Sequence, residues 1–312
     1  MQPLVTIVVC TKNRPQILRQ CLSSIYLTRY SRKECLLVDS SHGNFAKQVA
    51  KMAKSYAFRY MYQAERGVSA AKNLAITRAN GDILCFTDDD CVVGENWVEN
   101  LIRNYNSPEV KCVTGRTIPE ARDTVIEKFF THDKGLKRCE FMSGQEESLF
   151  RMLRRVVPYL MSTVSLQGIA PVPWCIGVGN NCSFRKDVFE SIELFDEGLG
   201  AGSPKKGGED LDVFYRIYQA GFKLIYEPNA VVYHVNQRDS GSILMNYGKG
   251  GGHFMLKHFH DPYIALQFLG RFVNVGQILF RTLLGRDKKG CHFQLKYLNG
   301  LFSSIMDSSF HL

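Results

Sequence analysis

The sequence predicts an α/β protein with a mostly parallel, doubly wound sheet, and three observations support this prediction. Short apolar runs alternate with segments whose apolar positions recur every three or four residues, as strands alternate with helices in such folds. The runs offer apolar side chains to both faces, as expected for strands buried between two layers of helices. With 312 residues and 45% apolar content, the chain is long enough to bury a core of this kind.

The alternation is clearest in the first half of the chain. Strands are predicted at 4–9, 35–39, 58–62 and 83–87, with helices near 15–25, 45–56 and 68–79 between them. The first helix follows Asn13, which is suited to an N-cap, and has Pro15 in its first turn, where proline costs no hydrogen bond. This order predicts a Rossmann-like half-domain in which helices join parallel strands.

The second half of the chain is less regular. Glycines and asparagines at 177–181 interrupt a strand-like run, which indicates backbone that approaches a ligand closely. The other elements predicted here are a helical or partly mobile segment at 120–157, a helix at 209–221, and strands at 223–226 and 230–233.

The last part of the chain, 237–312, differs from the domain predicted at 1–236 because it is basic and partly amphipathic. Residues 264–284 predict a helix with arginines and amides on one side and apolar residues on the other. Two arginines and three amides argue against a membrane span. They suit a helix lying in a membrane interface, so 262–290 is predicted to contact a membrane surface. The alternative is a helix packed on the first domain or across a dimer.

Composition and charge limit the classes of partner and the cellular location that we expect for this protein. The formal charge of +9 favours polyanionic partners such as nucleotide phosphates, nucleic acid or an acidic membrane face. The sequence contains no recognisable nucleic-acid-binding module, so we expect no nucleic-acid partner. The apolar start lacks the basic region and cleavage site of a signal peptide, and the ten cysteines form no CxxC pair. We therefore expect a cytoplasmic protein, peripheral at the inner face of the membrane where the extension binds.

Acidic residues follow several of the predicted strands. Asp88-Asp89-Asp90 ends the fourth strand, Asp39 ends the second, and Glu209-Asp210 opens a later helix. The carboxyl ends of parallel strands form the edge at which α/β proteins bind ligands. Adjacent carboxylates repel one another, so a fold that keeps three together commonly supplies a divalent cation or several donors. A solvated turn is the alternative explanation of the triplet taken alone.

Six segments, taken in order, resemble the family 2 glycosyltransferases, which have the GT-A fold. They are Val8–Pro15, Leu37–Asp39, Gly67–Asn73, Phe86–Asp90, Phe195–Glu197 and Gly207–Asp212. The resemblance covers residues 4–235. It implies a GT-A domain with a Rossmann-like, mostly parallel sheet flanked by helices, followed by a C-terminal helical extension. It also implies that the substrate is a nucleotide-diphosphate sugar.

The resemblance implies a set of donor-binding residues on the first four strands and the third helix. Its members are Thr11, Asn13, Arg14, Asp39, Arg66, Lys72, Asn73, Asp88 and Asp89. Asp39 would accept a hydrogen bond from the nucleotide base, and Arg66 and Lys72 would approach the diphosphate. The family usually has arginine where this chain has Lys72. Without the resemblance, Asp39 and Asn73 would be interpreted as residues that cap the next segment or a turn. Lys72 would be interpreted as a solvated residue on a helix face.

Asp88 and Asp90 match the two ends of the family's DxD motif, which implies Mg²⁺ or Mn²⁺. These hard cations prefer oxygen ligands and keep positions open for diphosphate oxygens, so one or two carboxylates suffice. Asp90 is expected to coordinate the metal, and Asp88 to contact the ribose or support the metal. His234 follows a predicted strand and could complete the metal site, although a lone histidine there is more often structural.

Transfer to an acceptor hydroxyl also requires a base, and Asp210 matches the family's catalytic aspartate. Glu209 beside it is expected to position the acceptor or a loop. The resemblance implies a single displacement with inversion at the anomeric carbon. The alternative explanation is that two acids stand at a helix N-terminus only because the helix dipole favours negative charge there. Trp97 and Trp174 both precede Glu209, so the QxxRW motif of processive members is absent, and transfer of one or a few sugars is expected.

Together these observations predict a metal-dependent inverting glycosyltransferase. Its partners would be a nucleotide-sugar donor and a saccharide or lipid-linked acceptor, such as a precursor of a cell-envelope polysaccharide. Two alternatives remain open: a catalytically silent nucleotide-sugar-binding protein and a nucleotidyltransferase. Intact Asp88, Asp90 and Asp210 argue against the first. The second would need a phosphate loop near the first strand, yet 11–16 contains no glycine.

Overall fold

In the computed structural model, one sheet crosses the described part of the chain, which comprises residues 2–64, 67–119, 139–142, 176–235, 240–265, 268–269 and 288–309. The strands within these residues are β1 (Val5–Thr11), β2 (Lys33–Asp39), β3 (Arg59–Tyr62), β4 (Ile83–Asp88), β5 (Cys91–Val93), β6 (Val110–Pro119), β7 (Cys139–Met142), β8 (Cys182–Arg185) and β9 (Lys223–His234). The helices are α1 (Pro15–Tyr26), α2 (Gly43–Ser55), α3 (Val68–Arg78), α4 (Trp97–Ile102), α5 (Val188–Ile192), α6 (Glu209–Gln219), α7 (Ser240–Lys257) and α8 (Lys288–Ser309). The strand order is β3-β2-β1-β4-β8-β6-β9-β5, and β7 also pairs with β9.

The first four strands form the predicted parallel half-sheet. β1 lies between β2 and β4, and β3 pairs with β2, all in parallel. Apolar residues of α1 and α2 cover one face of this half-sheet and those of α3 cover the other, which buries the strands on both sides. α1 begins at Pro15 with Arg14 in the N-cap position predicted for Asn13, because the Asn13 side chain accepts from the His42 N–H instead. The α/β fold with its mostly parallel sheet is confirmed.

The second half of the sheet mixes strand directions. β8 runs antiparallel to both of its neighbours, β4 and β6, while β6 and β9 are parallel. β9 is one strand of 12 residues where the sequence suggested two. A shift in its register with β6 between Gly115 and Arg116 keeps it continuous. A side chain at Gly115 would meet the Ala230 carbonyl and the Asn181 side chain, so only glycine fits there.

The charged segment at 120–157 contains a strand where the sequence favoured helix. Its described residues, Cys139–Met142, form β7 and run antiparallel to β9. Glu140 is exposed and lies 3.4 Å from the Lys223 ammonium. Charged side chains are common on edge strands, where they prevent pairing with other chains, so the charge content was a poor guide to helix. The rest of this segment lies outside the described residues.

The C-terminal extension forms helices at Ser240–Lys257 and Lys288–Ser309, as predicted, and these helices pack closely on each other and on the sheet domain. α7 and α8 approach so tightly that a side chain at Gly248 would meet the backbone of Tyr297. Phe254 of α7 and Leu298 of α8 belong to the same hydrophobic cluster as Phe86 of β4. The extension therefore shares a core with the domain that precedes it.

The amphipathic helix predicted at 264–284 lies mostly outside the described residues, which include 264–265 and 268–269. Ile264 and Phe268 are buried in the cluster that holds α7 and α8. At these two positions the chain packs on protein, as the alternative interpretation expected. None of the helices in the described part of the chain is both long and apolar enough to cross a membrane.

Candidate active site

The three aspartates lie where β4 ends and β5 begins, and each has different surroundings. Asp89 is fully buried, accepts a hydrogen bond from Thr11 Oγ1 at 2.6 Å, and is paired with the Arg14 guanidinium. Burial raises the pKa of Asp89 to about 7, although the charge of Arg14 opposes this shift. Arg14 also reaches Asp90, with 2.9 Å between Nη1 and Oδ2. Thr11 and Arg14, which were expected to hold the nucleotide, thus contact the acid triplet itself.

Asp90 also faces His234 at the end of β9. Pairing of β5 with β9 places Cys91 opposite His234, and His234 Nε2 lies 3.3 Å from Asp90 Oδ1. The Val235 N–H donates to the Asp90 carbonyl oxygen at 2.8 Å, which joins the two strand ends. One potential ligand atom from each of Asp90, Cys91 and His234 lies within 4.8 Å of the other two. The sheet therefore brings together the predicted metal residues Asp90 and His234.

The donor atoms present here suit a hard divalent cation. Burial, together with the negative charges of Asp88 and Asp90, raises the pKa of the Cys91 thiol well above its usual range, so the thiol is protonated in the metal-free protein. Burial and the charge of Asp90 also raise the pKa of Asp88. Carboxylates that disfavour one another's ionisation are stabilised by a cation, and carboxylate oxygen and imidazole nitrogen both bind Mn²⁺. Asp88, Asp90 and His234 therefore fit the expected Mg²⁺ or Mn²⁺ in their chemistry.

Asp39 lies fully buried at the end of β2, and its carboxylate is already oriented by the protein. Its two oxygens accept hydrogen bonds from the Ser41 N–H at 2.8 Å and the Tyr60 hydroxyl at 2.9 Å. Asn13, with a left-handed φ of 56°, joins the end of β1 to the same turn. Its N–H donates to Ser41 Oγ at 2.7 Å, and its side-chain oxygen accepts from the His42 N–H at 3.0 Å. The sequence analysis missed Tyr60, whose signal is its position in the strand next to Asp39.

Lys72 of α3 points toward α6. Its side chain is buried, and its ammonium lies 3.1 Å from Glu209 Oε1 and 5.1 Å from the centre of the Phe195 ring. Burial lowers the pKa of Lys72, but the negative charges of Glu209 and Asp88 outweigh this effect and raise the pKa above its ordinary value. Lys72 is therefore a permanent buried cation and not a solvated surface residue.

Asn73 of α3 faces the turn at 195–197. Its side-chain oxygen accepts the Phe195 N–H at 2.9 Å, and its amide donates to the Phe195 carbonyl oxygen at 2.9 Å and to Glu197 at 3.0 Å. In this structure the amide therefore joins α3 to that turn. Arg66, expected near the diphosphate, lies outside the described residues.

Glu209 and Asp210 open α6, as the sequence indicated. Asp210 accepts hydrogen bonds from the Gly179 N–H at 2.8 Å and the Leu211 N–H at 2.9 Å. Gly179 belongs to the segment expected to approach a ligand, and its backbone closely approaches Asp210. Burial and the negative charge of Glu209 raise the pKa of Asp210 to about 6, while Lys72 acts in the opposite direction. A carboxylate with this pKa is ionised at pH 7 and basic enough to accept a proton.

Asp212 lies further along α6, and the sequence analysis gave it no role. It is fully buried and lies 2.8 Å from Arg216 Nε, 2.9 Å from Lys257 Nζ and 2.7 Å from His258 Nε2. Burial raises the pKa of Asp212, but the hydrogen bond from His258 and the charges of Arg216 and Lys257 outweigh it and lower the pKa to about 2. This cluster ties α6 to the end of α7. His258 follows 46 residues later, so sequence spacing offers no signal for the contact.

The site thus has two groups of acids, and Lys72 lies close enough to be affected by the charges of both. Asp88 belongs to the group on β4 and β5, and Glu209 and Asp210 belong to the group on α6. The charges of Glu209, Asp88 and Asp210 all act on the Lys72 ammonium. One group suits a cation and the phosphates it would bind, while the other offers an ionised carboxylate that is basic enough to accept a proton. The arrangement can stabilise an anionic leaving group on one side and accept a proton on the other.

The sequence matches the family model "Glycosyl transferase family 2" over residues 6–192. The chain belongs to this family. Poly-β-1,6-N-acetyl-D-glucosamine synthase of Staphylococcus aureus (strain COL) is 20% identical over 270 residues, which are 85% of this chain and 58% of the synthase. Glucosyl-dolichyl phosphate glucuronosyltransferase of Haloferax volcanii is 25% identical over 239 residues, 74% of this chain and 68% of that protein. This family member therefore spans just over half the length of the synthases it matches.

A solved structure has the same fold as this family member. It is the mannosyltransferase PcManGT from Pyrobaculum calidifontis in complex with GDP-Man and Mn²⁺. The two chains superpose with a TM-score of 0.65 and 16% sequence identity, covering 98% of this chain and 88% of the mannosyltransferase. The predicted GT-A fold is confirmed.

Proposed function

We propose that this protein transfers a sugar from a nucleotide-diphosphate sugar to an acceptor hydroxyl, with Mg²⁺ or Mn²⁺ and with inversion at the anomeric carbon. The observation that carries the proposal is the presence of two groups of acids, one at the end of β4 and one at the start of α6, whose charges both act on Lys72. A transferred sugar placed between them has its diphosphate beside Asp88 and Asp90 and its reacting face toward Asp210. One relative is named as a glucuronosyltransferase and another as a poly-N-acetylglucosamine synthase, and both names support the same class of reaction.

The donor nucleotide would lie across the ends of β1 and β2. Asp39, held by Ser41 and Tyr60, keeps lone pairs on both oxygens and accepts a hydrogen bond from an N–H of the base. Asn13 shapes the turn beside it, and Arg66 would reach the diphosphate. The structurally similar mannosyltransferase was solved with GDP-Man, which supports a nucleoside diphosphate sugar as the donor class.

Asp90, Asp88 and His234 would hold the divalent cation. When bound, it offsets the negative charge that develops on the departing diphosphate. Arg14 keeps Asp90 and Asp89 in place through its two ion pairs. The buried Asp89 thereby anchors the loop between β4 and β5, whereas Asp88 and Asp90 face the substrate. The Mn²⁺ of the mannosyltransferase complex supports a cation of this type.

Asp210 would act as the general base. As the acceptor oxygen bonds to the anomeric carbon, the acceptor hydroxyl loses its proton to Asp210 and the diphosphate leaves from the opposite face. The Gly179 N–H holds the Asp210 carboxylate in position. Glu209 is engaged by Lys72, so it positions the pair of acids and does not compete as the base. Because the QxxRW motif is absent, we infer transfer of one or a few sugars.

A thermal-shift screen tests the donor and the metal together. The full chain is heated with GDP-mannose, UDP-N-acetylglucosamine or UDP-glucuronate, each with and without MnCl₂. We expect at least one donor to raise the melting temperature, with a larger rise when Mn²⁺ is present, because ligands stabilise the state that binds them. Asp90→Asn should remove the additional rise in melting temperature that Mn²⁺ causes, whereas Asp187→Asn at the opposite end of the sheet should keep it. An absence of any shift across a full panel of nucleotide sugars contradicts the proposal.

The acceptor would be a saccharide, and we propose a lipid-linked one presented at a membrane face. The support is the basic character of 237–312 and the amphipathic pattern of 264–284. Since α7 and α8 share the protein core, the test keeps the full chain and replaces Lys288 and Lys289 with serine. Sedimentation with vesicles containing phosphatidylserine should fall in this variant and at high salt. Equal sedimentation with neutral and anionic vesicles removes the membrane proposal.

A further inference from the structure

α7 carries a tyrosine, Tyr247, close to its contact with the loop that precedes the candidate catalytic acids. The helix backbone contacts the two glycines before Glu209, since a side chain at Gly208 would meet the Gly250 carbonyl oxygen and one at Gly250 would meet Gly207. The two backbones therefore pack with no room for a side chain at either glycine. The start of α7 therefore lies over the loop from which the acids of α6 emerge.

The helical repeat decides which residues of α7 face this loop. Residues three, four and seven positions apart lie on one side of a helix. Gly250 and Phe254 both contact Gly208, and Tyr247 lies one turn before Gly250 on the same side. The carbonyl oxygen of Asn246, next to Tyr247, lies 3.6 Å from a methyl group placed at Gly207. Tyr247 therefore projects from the part of α7 that faces the catalytic loop.

The electrostatic surroundings of Tyr247 agree with this position. Burial raises the pKa of its phenol, and the negative charges of Asp210, Asp88, Asp90 and Glu209, in that order, raise it further. The phenol thus stays protonated and acts as a hydrogen-bond donor at any pH that the protein tolerates. Nevertheless 38% of the Tyr247 surface is exposed, which is typical of a residue lining an open cleft. Both acid groups act on the phenol, which agrees with the side of α7 from which Tyr247 projects.

We propose that Tyr247 is a substrate-contacting residue whose hydroxyl donates a hydrogen bond to a hydroxyl oxygen of the transferred sugar. The inference rests on the proposed function, in which the sugar occupies the gap between Asp88–Asp90 and Asp210. A neutral donor there adds no charge to a site already crowded with carboxylates, and it distinguishes sugars by the position of their hydroxyls. The helical extension would thereby complete the active site, although the matched family region ends at residue 192.

The test compares wild type, Tyr247→Phe and the control Tyr26→Phe, which changes an exposed tyrosine on α1. Release of nucleoside diphosphate is measured with GDP-mannose and UDP-N-acetylglucosamine in MnCl₂. For the donor that wild type uses, Tyr247→Phe should lower kcat/KM about 5- to 20-fold, the usual effect of one neutral hydrogen bond. Affinity for GDP or UDP alone, measured by calorimetry, should stay within about twofold of wild type. Tyr26→Phe should match wild type in both measurements.

Deoxy-sugar donors locate the contact. Wild type should lose activity with the donor that lacks the contacted hydroxyl, whereas Tyr247→Phe should lose little more, because the hydrogen bond is already absent. Equal kcat/KM for Tyr247→Phe and wild type overturns the inference. So does an equal deoxy-sugar penalty in both proteins, which would mean that Tyr247 only supports Asp210. A wild type that neither binds nor turns over any nucleotide sugar overturns the proposed function instead.

Discussion

The two faces of α6 carry aspartates with opposite properties, although only one residue separates them. Asp210 on the cleft face has its pKa raised to about 6, and Asp212 on the opposite face has its pKa lowered to about 2. Burial raises the pKa of both, so burial does not explain the difference. Asp210 has Glu209 beside it and Lys72 as its cation, whereas Asp212 contacts Arg216, Lys257 and His258.

This contrast shows that one helix can carry a residue suited to catalysis on one face and a residue that stabilises the fold on the other. A buried carboxylate with two cationic partners and a hydrogen bond to a histidine is stable as an anion and has little tendency to accept a proton. A buried carboxylate held by two backbone N–H groups and next to another acid keeps that tendency. The cleft face therefore suits proton transfer, and the opposite face suits attachment of the C-terminal helices. Asp210→Asn, Asp212→Asn and Lys72→Met test this division directly.

Replacing Asp210 with asparagine should produce the largest effect on activity. The amide keeps the size of the side chain but cannot accept the proton, so the transfer rate should fall about 10²- to 10⁴-fold. Donor affinity and the free energy of unfolding should stay near the wild-type values. Transfer is measured with the donor found by the thermal-shift screen, and Asp187→Asn serves as the control. Transfer at the wild-type rate would exclude Asp210 as the base.

Replacing Asp212 with asparagine should chiefly reduce stability. Removing the carboxylate breaks the ion pairs with Arg216 and Lys257 and the hydrogen bond with His258, so the free energy of unfolding should fall by about 3 kcal/mol. Urea denaturation at pH 7 measures the change, again with Asp187→Asn as the control, since its side chain is 58% exposed.

The same Asp212→Asn variant has a pH signature. Because the pKa of Asp212 is lower in the folded protein, its contribution is complete above the unfolded value of about 4 and is lost as pH falls toward 2. The stability difference between wild type and variant should therefore shrink between about pH 4 and pH 2. A difference that stays constant over this range would mean that the ionised carboxylate is not what stabilises the fold.

The pH dependence of turnover should show the smallest effect. Since the base must be ionised, kcat/KM should rise with pH and level off above the Asp210 pKa of about 6. Lys72 lowers the pKa of Asp210, so Lys72→Met should move this midpoint upward by about one unit. Lys111→Met, which removes an ion pair with Asp187, should leave the midpoint unchanged. An unchanged midpoint in Lys72→Met would show that Lys72 does not control Asp210.

The first half of the chain followed its sequence pattern closely because its strands are buried on both faces and its helices have a regular apolar side. The parallel strands β1 to β4 and helices α1 to α3 alternate in order, so apolar periodicity alone placed them near their observed bounds. The sequence also located the acid triplet and the Glu209-Asp210 pair at element ends. The second half departed from the pattern at β7 and along β9, where pairing with distant strands decided the structure and local charge did not.

What the sequence determined by itself was the α/β alternation, the positions of the acids and the family resemblance, because these depend on residue type and order. Only the tertiary structure decided how each acid behaves. Asp89 became a buried anchor through Arg14 and Thr11, and Asp212 became an attachment point through α7. The part of α7 that carries Tyr247 was brought to the loop before Glu209 by a glycine contact between distant segments. The reason is physical: pKa values and hydrogen bonds depend on which charges surround a group in space, and those neighbours are tens of residues away along the chain.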